Sequence, residues 1–591
     1  STLMRSSAAS DVYKRQILTD YNRVRMTRMF STGYAAIEPV KGLKLKETLS
    51  YDYTIQKDSR YYNPLSSAGP KSGSDAQTAK GFIEYGKLIS STSLNYVHTF
   101  AHKHHLNVLA AYEIESYQTD HASGEKSKLP SDKLTEPDNA AVLNSFKSAT
   151  QAYRMISYLS RLNYDYDDRY YIAGSYRRDG SSRLSPNNRW GNFWSVSGMW
   201  HLGNENFMKA VKPVLSDVKI RASYGVNGNQ PGSYYGYKGL YSYGENYMEA
   251  AGSYESSQPN DLLTWEKNYS LNLGIDLSFI NRIFASLEYY NRDTKDLLYS
   301  LPISATTGFT SYLSNIGRLN NKGIEFELRT LNVVSNDFNW TSVFNLSHNR
   351  NKIVSLNGLL DQTIEGTWFI HKVGLPYHTF YVKEFAGVDP QTGYAQYYLN
   401  TKNEDGSYNR ELTTDADKAE SIPYKTATPK VSGGFTNILN YKWIDLTFTL
   451  TYSLGGYSFD KLGTYIENGT SSIYSSRYNL PAYMMNRWQN PGDQTDIPRF
   501  VYNESATSTN SSRYIHSTDH LRLKNFTLGF TLPNQWTQKL MIDKVRIYFS
   551  GNNLLTWAKW KQYDPETPVN GEVFCEAPAM RTFSFGAQLS F

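Results

Sequence analysis

Long stretches of this chain alternate apolar and polar residues one by one. Ile444, Leu446, Phe448, Leu450, Tyr452 and Leu454 interleave with Asp445, Thr447, Thr449, Thr451 and Ser453. Tyr269–Phe279 does the same, with Leu271, Leu273, Ile275 and Leu277 against Ser270, Asn272, Gly274, Asp276 and Ser278. The last stretch, Thr582–Phe591, sets Phe583, Phe585, Ala587, Leu589 and Phe591 against Thr582, Ser584, Gly586, Gln588 and Ser590. Successive side chains of a strand point to opposite faces, so each stretch builds a sheet with one oily and one wet face. Soluble sandwiches share that pattern. Length separates the two cases: several stretches run about 10 residues or more, enough to cross a bilayer at a tilt, against about 5–6 for an ordinary strand.

The connectors point the same way. Phe279 leads through Ile280–Arg282 into Ile283–Tyr290, and a long stretch, Asn291–Ile316, follows. Gly323–Leu331 and Asn339–His348 join by a short turn around Val333–Asp337, followed by a very long stretch from Asn349 to about Thr428. Val431–Leu439 and Ile444–Leu454 meet at Asn440–Trp443, and another long stretch reaches about Asp519. Upstream, Tyr153–Tyr166 and Tyr170–Arg177 join at Asp167–Arg169. Trp190–Leu202 and Val218–Gly225 flank a segment with room for a short helix, and Ser91–Phe100 and Leu106–Glu115 meet at Ala101–His105. Short turns on one side and long loops on the other is the arrangement of an outer-membrane barrel, with turns in the periplasm and loops outside. The expectation is an all-β, large antiparallel transmembrane barrel of roughly 18 strands. Leu521 and Leu523 are out of phase with Phe526, Leu528, Phe530 and Leu532, and a bulge near Lys524–Asn525 would repair this.

Bulk properties agree. Mean hydropathy is −0.56, and no run of about 18 apolar residues exists, which excludes ordinary transmembrane helices. A barrel escapes that test because its strands stay polar on average. Aromatics make up 15% of the chain, with 49 tyrosines. A ring with a polar tip suits a membrane–water boundary. A net charge of +6 over 591 residues is too dispersed to argue for nucleic acid. The single cysteine, Cys575, forms no internal disulfide and has no neighbours suggesting a nucleophile. Residues 1–16 lack the apolar segment of a signal peptide, and Asp11–Gln16 (DVYKRQ) reads like translated sequencing adapter. They are expected to be a non-native leader, with residues 17–591 forming part of a barrel.

Several runs resemble the SusC/RagA-like class of TonB-dependent outer-membrane transporters. They are Arg178–Arg183 (RDGSSR) with Asn187–Gly191 (NNRWG), and Ile220–Gln230 (IRASYGVNGNQ). Leu263–Lys267 (LTWEK), Thr294–Leu298 (TKDLL), Asn315–Gly317 (NIG) and Asn321–Glu325 (NKGIE) follow. Last come Asn490–Phe500 (NPGDQTDIPRF), Leu521–Leu532 (LRLKNFTLGFTL) and Tyr548–Pro565 (YFSGNNLLTWAKWKQYDP). Each is weak alone; in this order they cover nearly all of Asn163–Phe591. The resemblance implies a barrel of about 22 strands with a plugged lumen, importing a nutrient with energy from TonB and capped by a SusD-like lipoprotein. Substrates of such proteins are mostly oligosaccharides, and peptides in the RagA type. The plug and TonB box that the class carries are not visible here, so coupling to TonB is expected through a missing N-terminal region.

Four aromatic residues on the expected extracellular side, Trp488, Trp557, Trp560 and Tyr563, are candidate contacts for substrate or lipoprotein, since aromatic faces stack on sugar rings. Packing between loops or interfacial anchoring is the competing reading. Asn490–Phe500 is expected to be a rigid loop in which Asp493, Asp496 and Arg499 can pair. His98, His102, His104 and His105 read as a solvated turn rather than a metal site. Asn403, Asp405 and Gly406 lack the carboxylates a calcium loop needs at its ends. No nucleophile motif or acid–base pair stands out: Glu325 and Glu327 alternate with Ile324, Phe326 and Leu328 as lumen-facing positions of a strand. No enzyme activity, cofactor or metal is expected. The competing class is a soluble β-rich glycan-binding protein, which would put its apolar residues inside.

Overall fold

The computed structural model describes residues 20–63, 76–131, 133–248, 250–356, 362–365, 368–467, 480–501, 510–537, 542–566 and 570–590. Residues 1–16 and Phe591 lie outside them.

The long strands are β1 (Tyr21–Val40), β2 (Leu43–Tyr62), β3 (Gln77–Phe100), β4 (His104–Ser127), β5 (Val142–Tyr166), β6 (Tyr170–Ser181), β7 (Trp190–His201) and β8 (Leu215–Asn229). They continue as β9 (Glu266–Phe279), β10 (Ile283–Lys295), β11 (Arg318–Val334), β12 (Phe338–Ser355) and β13 (Val431–Tyr441). The last are β14 (Ile444–Leu454), β15 (His520–Thr531), β16 (Lys544–Ala558) and β17 (Thr582–Ser590). They make one large antiparallel sheet of 17 strands, near the number expected. Among the described residues helix is confined to single turns, two of them at Leu202–Asn204 and Asn206–Ala210, in the segment read as having room for a short helix. The chain divides into two compact units. One holds Ser1–Ser197, Gly225–Lys267 and Leu298–Asn315; the other holds Gly198–Tyr224, Asn268–Leu297 and Ile316–Phe591.

In the first unit each strand from β1 to β6 pairs antiparallel with the next. The sequence pattern shows only part of each. The alternation predicts Ser91–Phe100 and Leu106–Glu115, whereas β3 and β4 are each 24 residues long. The missed halves carry polar residues on both faces. A ladder of backbone hydrogen bonds continues there without an apolar stripe to announce it. The pair β1–β2 is absent from the sequence reading for a related reason: Glu47 and the charged run around Lys57 interrupt its alternation. The turns after β3 and β5 place Ala101, His102, Asp167 and Asp168 at positive φ, the twist that tight hairpins favour. Next to the first turn two of the four histidines, His98 and His104, join an aromatic belt. His98 stacks on Tyr96 and Phe100, His104 stacks on Phe100 at 4.7 Å, and His104 Nδ1 bonds the Tyr164 hydroxyl at 2.8 Å.

In the second unit β10 to β17 pair in chain order. Ala285, Leu328, Phe344, Phe435 and Leu450 lie side by side across five strands. Ile444, Phe530, Ile547 and Ala587 form another such row. Many large members of this face are exposed, including Ile444, Leu454, Phe530, Ile547, Phe583, Phe585 and Leu589. A row of exposed rings and branched side chains is the inverse of a soluble sheet, and its natural solvent is lipid. Polar groups interrupt it in the row Ile283–Thr330–Ser342–Asn437–Phe448, where Asn437 Oδ1 accepts from Trp340 Nε1 at 2.9 Å and Ser342 Oγ at 2.7 Å. The bulge inferred at Lys524–Asn525 is present: the register slips between Leu523 and Asn525, and between Thr449 and Leu450 on the neighbouring strand.

Candidate functional site

The opposite face of the strands is polar and ionic. In the first unit Arg28 bonds Asp52 through Nε at 2.8 Å, Lys87 pairs with Glu115 at 3.0 Å, and Arg177 pairs with Asp179 at 2.7 Å. In the second unit Arg221 reaches Glu288 at 2.6 Å and Asp276 at 3.3 Å, Arg546 holds Asp445, and the Thr436 and Thr449 hydroxyls are 3.0 Å apart. Glu325 and Glu327 share this face, as their alternation predicts, because their row-mates are Glu288 and Ser286. A surface of fixed charges and hydroxyls offers hydrogen bonds to a passing polar solute.

At one end of the second unit the long loops fold onto each other. Phe369, Phe380, Val382, Phe459, Tyr514 and Ile515 form a buried core there. Beside it, Arg513 pairs with Glu467 at 2.9 Å with both side chains nearly buried, and the Tyr483 hydroxyl donates to the same carboxylate. Asp460 is buried and accepts from the Gly463 amide at 2.7 Å. Burial pushes its carboxyl up to about 6, and the nearby Glu467 charge adds to this. Burial and the Arg513 charge push His516 down to about 4, so it is a neutral imidazole at pH 7.

The four aromatic candidates separate here. Trp560 is buried, stacked on His516 with ring centres 4.5 Å apart, and its Nε1 donates to Gln562 at 3.1 Å. Trp488 is also buried; its Nε1 donates to the Pro390 carbonyl at 2.9 Å and its ring closes over Gly393, where a Cβ would meet it at 2.4 Å. Trp557 is exposed on the apolar face, opposite Leu521. Tyr563 packs at a tilt on Trp560 with ring centres 5.1 Å apart and stays half-exposed, its hydroxyl held protonated by burial and by the Asp460 charge. Trp557, Trp560 and Tyr563 line one cleft of 1020 Å³ with Arg522, Asp564 and Arg581. Trp488 is not among its lining residues.

Sequence reasoning missed the residue that holds the cleft in place. Arg522 sits on β15 almost fully buried, paired with Asp564 and with Glu566 at 3.1 Å. Asp564 Oδ1 also accepts the Glu566 amide and its Oδ2 the Ala579 amide, which ties both ends of the loop to the wall. Alternation with Leu521 and Leu523 marks Arg522 as a polar-face residue, opposite Thr451 and Thr556, and carries no sign of the loop carboxylates that bury it. In Asn490–Phe500 the expected pairing is replaced by another arrangement. Asp493 accepts the Gln489 and Asn490 amides at 2.9 and 2.8 Å, and Arg499 lies over the Tyr394 ring at 4.0 Å. Among the described residues neither Asp493 nor Asp496 pairs with Arg499. Asp405 is engaged by the Ser407 amide and hydroxyl, closing a turn. One group of metal-ligating types comes together among the described residues: ligand atoms of His105, Asp165 and Asp168 lie within 4.8 Å of one another in a partly exposed turn.

A family model described as TonB dependent receptor-like, beta-barrel, matches residues 5–554. The chain belongs to that family. TonB-dependent receptor P3 of Formosa agariphila is 30% identical over 94% of this chain and 57% of its own length. TonB-dependent receptor SusC of Bacteroides thetaiotaomicron is 32% identical over 77% of this chain and 45% of its own. The RagAB peptide transporter superposes with a TM-score of 0.87 at 28% identity, covering 97% of this chain and 63% of that one. The chain therefore spans about half the length of the curated relatives it matches. Its relatives are receptors and transporters by name, not enzymes. With family membership and the two-faced strands together, this TonB-dependent receptor barrel is an outer-membrane protein whose apolar face meets lipid.

Proposed function

We propose that the full-length protein imports an oligosaccharide across the outer membrane, with energy from TonB and with a SusD-like lipoprotein at the extracellular mouth. The observation that carries this reading is the match to the receptor barrel family over a wall with one apolar and one ionic face. The SusC relative supports it. So does the aromatic cleft of Trp557, Trp560 and Tyr563, in which Tyr563 offers a half-exposed ring beside Arg581 for a sugar to lie on. A peptide is the second reading, favoured by the superposition on a transporter described as carrying peptides.

The test is growth and uptake in the native host with the intact gene deleted and restored, on oligosaccharide mixtures or on peptides as sole carbon source. Glycan-specific loss, reproduced by removing TonB, is the expected result. Loss confined to peptides selects the second reading, and unchanged uptake of both rejects import.

A further inference from the structure

We infer that the second unit carries a binding site for the phosphate-bearing headgroup of an outer-leaflet lipid, built from Lys322, Arg350 and Lys352. Register places these residues. On the lipid-facing side of β10, β11 and β12 the rows read Leu287–Phe326–Leu346, then Tyr289–Ile324–His348. The next row is Asn291–Lys322–Arg350, and the one beyond is Asp293–Asn320–Lys352. Apolar side chains thus give way to cations within one row, about 7 Å along the strand. That step lies toward the long loops, on the side opposite the short turn between β11 and β12, so it falls at the outer headgroup layer.

Three observations identify the ligand as an anion. Lys322, Arg350 and Lys352 are exposed and make no ion pair among the described residues. Among the described residues the only carboxylate lining their pocket, Asp293, is taken by Arg318 at 2.6 Å. The pocket measures 430 Å³, large enough for a phosphate and its ester carbons. A lipid supplies what a free anion cannot: acyl chains that lie on Leu287, Phe326 and Leu346 while the phosphate sits among the cations. Arg350 can hold two phosphate oxygens at once, with the lysines as point charges. The inference rests on the apolar face meeting lipid, which the Phe448 and Thr447 variants described below test separately, so the two can fail independently.

The test titrates the full chain in neutral detergent with phosphatidic acid, phosphatidylcholine and inorganic phosphate, with bound lipid counted by native mass spectrometry. Phosphatidic acid is expected to bind and phosphatidylcholine to bind weakly or not at all, while millimolar phosphate fails to displace the bound lipid. Replacing Lys322, Arg350 and Lys352 together by Gln should weaken phosphatidic acid binding on the order of 100-fold, about fivefold per cation. Arg329→Gln, on the opposite face of β11, should leave it unchanged. Should the triple variant not fold, the single Gln variants carry the same test, and Arg350→Lys should retain most of the affinity. Equal binding by wild type and the Gln variants, equal binding of the two lipids, or displacement by free phosphate each overturns the site.

Discussion

Phe448 lies directly across from Phe526 on the lipid face of β14 and β15, while its neighbour Thr447 lies across from Thr527 on the polar face. One residue along the chain therefore exchanges oil for water. An arginine on the lipid face near the midplane costs about 2–4 kcal/mol. Phe448→Arg is expected to lower folding yield into lipid vesicles by that amount, and Thr447→Arg by much less. Folding titrations with heat-shifted gel mobility as the readout decide it, and equal penalties would reverse the assignment of faces.

Arg522 joins the wall to the loop through Asp564 and Glu566. Removing one partner of a buried pair leaves the other charge without compensation, at about 3–5 kcal/mol. Arg522→Gln should release residues 559–581, seen as new protease cleavage there while the sheet stays intact. Lys524 pairs with the same Glu566 at 2.7 Å but is exposed, so Lys524→Gln should cost less than about 1 kcal/mol and leave the cleavage pattern as it is.

Two buried groups in the loops titrate in opposite senses. His516, held near 4 against an ordinary 6.5, contributes stability that is whole above pH 6.5 and is lost as pH falls toward 4. Asp460, raised from 3.8 to about 6, contributes stability that is whole below pH 3.8 and is lost as pH rises through 6. Each effect is on the order of 3 kcal/mol, and between pH 4 and 6 they offset one another. Protection factors of the loop amides, corrected for intrinsic exchange, should therefore vary little with pH across that window in the wild type. Asp460→Asn should make protection fall on acidification, and His516→Gln should make it rise. If both variants stay as flat as the wild type, the two groups are not buried as described.

Gly393 has φ +74 and lies beneath the Trp488 ring. Gly393→Ala forces a Cβ into that ring from a left-handed backbone, for a loss of about 1–3 kcal/mol. Trp488→Ala should cost about 3–5 kcal/mol by leaving a cavity. Both should lower the unfolding temperature of the loops by calorimetry. Tyr563→Ala, at a half-exposed ring, should leave that temperature almost unchanged and instead weaken oligosaccharide binding by the full-length protein.

The two-faced wall was legible because lipid on one side and solute on the other impose a period of two, as in Ile444–Leu454. Even the Lys524 bulge showed itself as a slip of phase. Strand length was not legible, since above the membrane both faces of β3 to β5 are wet and no pattern separates a ladder from a loop. The aromatic candidates were chosen by residue type, and type alone cannot tell Trp560, buried against His516, from Tyr563, which keeps an open face. Arg522 meets the same limit: alternation with Leu521 and Leu523 marks it only as a polar-face residue, and the carboxylates that bury it, Asp564 and Glu566, lie 42 and 44 residues downstream, where only the fold brings them within reach.

The length of β4 and β5 has a further consequence. Their last paired apolar row on the lipid face is Ile114 beside Ile156, yet the two strands stay paired as far as Ser127 and Val142. That is about 40 Å more of strand, or about 30 Å of height once tilt is allowed for. The rim of this part of the wall thus stands roughly a hydrocarbon thickness clear of the lipid. Such standoff matters little to a small solute but a great deal to a bulky polymer, which can engage the rim without approaching the crowded cell surface below it.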